Sequence, residues 1–207
     1  MVDYKQIFKE MLQMFGPQGW WPSQTDWETL SGAILVQNTN WRNAEKSLCN
    51  LRQKTQFDPQ KMLGLSLMEL KNLIRPSGFY NAKARTIQAT LEFFQEYQFD
   101  FQRLLSIYSP AQLRKMLLTI TGIGNETADV LLLYIFEQPV FIADNYAKKL
   151  ISVLEQRDIL KDSYLTIKKF MEQHLAGLTV KELQEFHALI DEHGADYLNL
   201  KYFDKEI

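Results

Sequence analysis

Apolar residues recur at helical spacing along nearly the whole chain, and polar or helix-breaking residues cut the pattern into short segments. Tyr4, Phe8, Met11 and Phe15 predict a first amphipathic helix over 3–15, closed by Gly16-Pro17-Gln18-Gly19. Trp27 to Val36 predicts a strongly apolar helix that stops at Gln37-Asn38-Thr39, and Trp41, Ala44, Leu48 and Leu51 line one side of the next. Asp58-Pro59 opens a short helix, and Ser66-Leu67-Met68-Glu69 is a capping box for another that ends at Arg75-Pro76. Asn81 is placed to cap a helix carrying Ala84, Ile87, Leu91 and Phe94, followed by a short helix over 101–106. Three further patterns follow Asp144: one with Tyr146, Leu150, Val153 and Leu154, one from Ser163 to Gly177, and one from the capping box Thr179-Val180-Lys181-Glu182 to His193-Gly194. No segment alternates as a strand does, so the expected fold is all-α, with about ten helices.

Between these helices lies Ile120-Thr121-Gly122-Ile123-Gly124-Asn125. Ser109-Pro110-Ala111-Gln112 starts the helix before it, and Asn125 to Phe136 predicts a buried helix after it, apolar on almost every face. Pro139 stops that helix, and Asp144 is the N-cap of the next. A Gly-Ile-Gly hairpin has a plain use. Glycine lets backbones approach closely, and the first amides of the following helix have no intrahelical partners and suit a phosphate. An ordinary helix–helix turn would carry the same short motif.

Composition narrows the class. Hydrophobic residues are 46% and charged residues 23%, which is globular. The single Cys49 excludes an intrachain disulfide and a cysteine-built metal site. No apolar run is long enough to span a bilayer, and Met1-Val2-Asp3-Tyr4-Lys5 lacks the layout of a signal peptide, so the expectation is a soluble cytoplasmic protein. The net charge of −2 argues against a wholly basic nucleic-acid binder and leaves only local positive patches, such as Arg75, Lys83 and Arg85, or Arg114 and Lys115. Trp20-Trp21-Pro22 puts two large aromatics in a turn-rich segment, either as a staple onto the core or as a face for a flat ligand.

The run from Ile120 to Ala128, followed by Phe141-Ile142-Ala143-Asp144, resembles the helix-hairpin-helix glycosylase superfamily, whose best-known member is endonuclease III. The resemblance covers most of the chain. It implies an endonuclease III-like two-domain fold: a six-helix domain over about 24–137 with the hairpin motif at 111–137, and a second helical domain from 1–23 plus 138–207. It places the catalytic aspartate at Asp144. It assigns the DNA backbone to Gly122, Ile123, Gly124, Asn125 and Thr127, with Lys83 as a nearby cation. Gln37 in Gln37-Asn38-Thr39 and Phe79 in Gly78-Phe79-Tyr80-Asn81 resemble the residues that wedge the duplex. His187-Ala188-Leu189-Ile190 and His193-Gly194 resemble the last helix of the pattern. The implied partner is damaged double-stranded DNA, bound by a monomer, with no membrane.

Two departures sharpen this. Bifunctional members carry a Schiff-base lysine where this chain has Glu126, and a glutamate cannot do amine chemistry. Many relatives hold an iron–sulfur cluster on four cysteines beginning just after the His-Gly, where this chain has Ala195-Asp196-Tyr197-Leu198. Together with Trp20-Trp21-Pro22, Gln37-Asn38-Thr39 and Arg75-Pro76-Ser77-Gly78-Phe79-Tyr80-Asn81, these departures resemble most the 3-methyladenine DNA glycosylase III branch, which is monofunctional, lacks the cluster and removes alkylated purines. The extruded base is expected to stack on Trp20, Trp21 or Trp41. No metal on side chains is expected; a monovalent cation on hairpin backbone carbonyls is an option the resemblance leaves open. The competing readings are a glycosylase of the same fold for oxidised or mismatched bases, and a non-catalytic helix-hairpin-helix module.

Overall fold

The computed structural model describes residues 2–203. The chain is all-α and groups into two compact units, Pro22–Phe136 and Met1–Trp21 with Glu137–Ile207.

In the first unit, α2 (Asp26–Leu35) is the central helix: nine of its ten residues are buried, so it has no solvent face to lose. It packs on α3 (Trp41–Thr55), α6 (Tyr80–Gln95) and α9 (Asn125–Tyr134). Leu30, Ile34 and Leu35 are fully buried, and each contributes about 1.5–3 kcal/mol by leaving water. Trp27 adds an aromatic cluster with Phe94, Phe99 and Phe101. The one buried acid of α2, Glu28, is paired with Arg52 of α3 and accepts the Gln24 N–H, as a buried charge requires. The short helices α4 (Pro59–Leu63) and α5 (Leu67–Leu73) and the 3-10 turn Arg75–Ser77 connect α3 to α6. Then α7 (Phe101–Ile107) and α8 (Pro110–Leu117) lead to the hairpin.

In the second unit, α12 (Val180–Leu198) is the organiser, packed on α1 (Tyr4–Phe15) and α10 (Asn145–Leu154), with α11 (Tyr164–His174) before it. Phe8 meets Phe186 with ring centroids 5.4 Å apart, and Tyr197 donates to Glu10 at 3.1 Å, fixing both ends of the α1–α12 contact.

Three boundaries differ from the sequence expectation. Asn81 is not the cap of α6: the helix starts at Tyr80, and Phe79 occupies the N-cap position in the left-handed region (φ 46°). α12 does not end at Gly194. That glycine is buried, with room for only ordinary contact with Ile190, and Tyr197 and Leu198 extend the buried face beyond it. α11 ends at His174, short of Gly177. The described residues hold twelve α-helices, two more than expected.

Candidate functional site

The hairpin between α8 and α9 is closed by backbone bonds from Thr119 to Met116 (2.9 Å), Ile120 to Leu117 (3.1 Å) and Ile123 to Ile120 (3.0 Å). Ile120 and Ile123 anchor it in the core, while Thr121, Gly122 and Gly124 face solvent. The two glycines do different work. Gly122 has φ 88°, and a Cβ there would lie 1.9 Å from Thr86 Oγ1 on α6, so only glycine fits. Gly124 has φ −93° and open space around its Cβ position, so the fold does not require glycine there. Gly124 is also the N-cap of α9 and brings no side chain to the first amides. Ten of the twelve α-helices among the described residues have a side-chain N-cap; only α6 and α9 lack one.

The rest of the hairpin is braced from within. Arg114 of α8 grips the buried Asp129 of α9 with two bonds of 2.8 Å and donates to Asn125 Oδ1 at 3.0 Å. Its charge is thereby committed to the fold rather than to a ligand. Thr127 is buried, and its hydroxyl accepts from the Gln37 amide at 2.8 Å. Ile123 and Thr127 can therefore meet a ligand through backbone groups only. Gln37 Nε2 also lies 3.4 Å from the Gly122 carbonyl. A monovalent cation on hairpin carbonyls would compete with this donor for the Gly122 oxygen.

Gln37 is half-buried at the end of α2, and Phe79 is 70% exposed on a loop where Gly78 and Phe79 both have positive φ. Lys83, expected on the DNA backbone, is not available there: it is 3% exposed, and its Nζ donates to the carbonyls of Leu35 (2.8 Å) and Ser77 (2.7 Å). Burial pulls its pKa down to about 8. Its position on the first turn of α6 points the side chain back toward the preceding loop, which is why it is captured by carbonyls instead of solvent. Trp41 is half-buried at the first residue of α3.

Asp144 is the N-cap of α10 and is 8% exposed. Its Oδ1 accepts the Ala147 N–H at 2.7 Å, which completes the cap. Its Oδ2 lies 3.6 Å from Nε2 of His187 on α12. The Trp20 ring meets the His187 ring edge-on at 5.7 Å and Trp21 at 5.7 Å. This aromatic segment is held to α12 because Glu185 accepts the N–H groups of Gln18 and Gly19. One helical turn beyond His187, burial pushes the Asp191 carboxyl up to about 6; His187 opposes the rise, and the charges of Asp144 and Glu192 add to it. The structure thus brings Asp144 and Trp20 to one imidazole within a single unit. The sequence reading assigned His187 and Asp191 no role here. The available signal was two ionisable residues at i, i+4 spacing on the helix face that also carries Leu183 and Gly194. Among the described residues no group of three or more His, Cys, Asp or Glu side chains could hold a metal ion, and no helix is long and apolar enough to cross a membrane.

Residues 31–174 match the family model for HhH-GPD superfamily base excision DNA repair proteins. A candidate DNA repair glycosylase of Methanocaldococcus jannaschii is 38% identical over 94% of this chain and 88% of its own length. The endonuclease III of Sulfolobus acidocaldarius is 26% identical over 80% of this chain and 71% of its own. Among solved structures, the 3-methyladenine DNA glycosylase MagIII of H. pylori, bound to 1,N6-ethenoadenine, superposes with a TM-score of 0.78 at 26% identity, covering 94% of this chain and 98% of that one.

Proposed function

Because this chain belongs to the HhH-GPD superfamily of base excision DNA repair proteins, we propose that it is a monofunctional DNA glycosylase that hydrolyses the N-glycosidic bond of alkylated purines such as 3-methyladenine. The observation that carries this reading is Asp144: a buried carboxylate fixed at a helix N-terminus, with one oxygen spent on the cap and the other directed at His187.

The division of labour follows from the parts. Residues 24–137 grip and open the duplex; residues 1–23 with 138–207 supply the carboxylate. The first-turn amides of α9 take a phosphate, a contact that positions DNA without reading sequence. Gln37 and Phe79 enter the stack, offsetting the few kcal/mol that extruding a base costs. The base stacks on an indole of Trp20, Trp21 or Trp41. A purine alkylated at N3 is cationic, which strengthens that contact and makes the base a good leaving group without an acid. Asp144 stabilises the positive charge developing on the sugar and takes a proton from the attacking water. Glu126 stands where an imine-forming lysine would be needed, so the strand is left intact.

The similarity to a 3-methyladenine glycosylase over nearly the full chain supports alkylated purines over other lesions, and the similarity to an endonuclease III keeps oxidised bases as the second reading. The deciding experiment is incubation with methylated DNA and chromatography of the released bases, with Asp144→Asn as the control. Release of 3-methyladenine is expected. Release only from oxidised duplexes would favour the second reading, and release from neither would refute both.

A further inference from the structure

The buried Lys83 has no part in the chemistry above, yet a lysine is costly to bury unless its ammonium is fully engaged. Its two bonds, 2.8 Å to the Leu35 carbonyl and 2.7 Å to the Ser77 carbonyl, are both to the last residue of a helical element: α2 ends at Leu35 and the 3-10 turn ends at Ser77. Carbonyls at such ends lack intrahelical partners and sit at the negative pole of the helix, so a cation suits them. Gln37 follows Leu35 by two residues, and Phe79 follows Ser77 by two. One ammonium therefore fixes the roots of both segments.

The Phe79 segment is also held from its other side. Ser77 N–H donates to Ser47 Oγ of α3 at 3.0 Å, and the Ser47 hydroxyl donates to the Ile74 carbonyl at 3.2 Å. The residue held so firmly is unfavourable on its own terms. Phe79 is 70% exposed and has φ 46°, a region a bulky side chain rarely adopts. An exposed ring on a left-handed backbone persists only where the surroundings over-determine it, and the Lys83 and Ser47 bonds are those surroundings.

We infer that Lys83 is a positioning residue that holds Gln37 and Phe79 in one fixed geometry, so that opening the duplex requires no rearrangement of either segment. The inference rests on the reading of Gln37 and Phe79 as wedge residues. Misplacing positioning groups by about 1 Å costs on the order of a hundredfold in rate, and here the loss falls on strand opening alone.

The test compares single-turnover excision of one alkylated base from a fully paired duplex and from the same duplex with an abasic gap opposite the lesion, where opening is cheap. Lys83→Met should slow the paired substrate by at least about tenfold and the gapped one by less than about twofold, a selectivity that general loss of structure would not produce. Phe79→Ala should show the same selectivity. If Lys83→Met fails to fold, Lys83→Gln, which keeps two N–H donors on a shorter arm, should give an intermediate ratio. Equal slowing of both substrates, or no slowing, overturns the positioning role. Loss of selectivity in Phe79→Ala and Gln37→Ala overturns the wedge reading instead, and the inference with it. Absence of excision by the parent protein on either substrate overturns the glycosylase reading and everything built on it.

Discussion

Two helix N-termini in this molecule are finished in opposite ways. α10 is closed by its own residue: Asp144 takes the Ala147 N–H at 2.7 Å and satisfies the cap. α9 begins at Gly124, which has no side chain to offer, although the chain uses Asp, Asn, Ser or Thr caps on ten other helices. A capped terminus holds a negative charge in place; the α9 terminus has no side chain at its N-cap and keeps a positive pole that favours negative charge near it. Under the proposed function the same local device has two uses: a fixed carboxylate for the sugar at α10, and a receptor for the phosphate at α9. Stability alone would favour a side-chain cap at both, though over glycine only by about a few tenths of a kcal/mol.

The comparison breaks most sharply at Asp144. Asn caps a helix as well as Asp does, so Asp144→Asn should leave the melting temperature nearly unchanged while removing the charge. Excision should fall by at least about a hundredfold, the scale of losing one preorganised electrostatic group, with DNA affinity retained. Single-turnover base release and thermal unfolding on the same preparation check both halves. A loss within about tenfold, equal to about 1.4 kcal/mol, would reduce Asp144 to a cap.

At the other terminus the two glycines separate fold from grip. Gly122→Ala forces a side chain into φ 88° and onto Thr86, so it should destabilise the unit by about 1–3 kcal/mol. Gly124→Ala meets no atom within 4 Å, so its stability should hold. Under the proposed function its affinity for any duplex, damaged or not, should still drop by about tenfold, because a methyl group at the N-cap crowds a phosphate approaching the α9 terminus. Fluorescence anisotropy with undamaged DNA reads this directly, and unchanged affinity would return the hairpin to an ordinary turn.

Much of this was legible because capping is local. Ser66 with Glu69, Ser109 with Gln112 and Thr179 with Glu182 close three residues apart, and all three boxes are formed. Asp144 as a cap was legible for the same reason. What escaped depends on distant partners. Lys83 reads as a surface cation until the carbonyl of Leu35, 48 residues away, comes within 2.8 Å. Arg114 reads as part of a basic patch until it meets Asp129, and the placement of His187 against Asp144 needs α10 and α12 to pack. Asn81 looked like a cap because its residue type favours one; Phe79 holds that position because the loop bonds fix its backbone, overriding propensity.

Asp191 sharpens the capped side. Its carboxyl titrates near 6 in the folded chain against 3.8 for an unperturbed group, so the folded state binds the proton more tightly. Stability therefore declines as pH rises through that interval, and above it the half-buried charge is a cost. Asp191→Asn should raise the melting temperature at pH 7.5 by an amount worth about 1 kcal/mol, after allowing for solvent screening, and the difference should vanish near pH 3. A pH-independent difference would point to packing rather than ionisation.

The smallest expected signal is a null one, at the uncapped end. Lyase chemistry needs an amine to form an imine with the sugar, and borohydride then traps the protein on DNA. The first two residues of α9 are Asn125 and Glu126, neither of which is an amine. Burial pulls the pKa of the Lys83 ammonium down to about 8, but the residue is 3% exposed and bonded to two carbonyls. Incubation of a damaged duplex with protein and borohydride should give no covalent adduct, and the product strand should stay whole until heated with alkali. An adduct that disappears in Lys83→Met even on a duplex with a preformed abasic site, where no base need be released, would mean that the buried ammonium leaves its carbonyls during turnover. An adduct that persists in that variant would place the amine elsewhere and make the chain bifunctional.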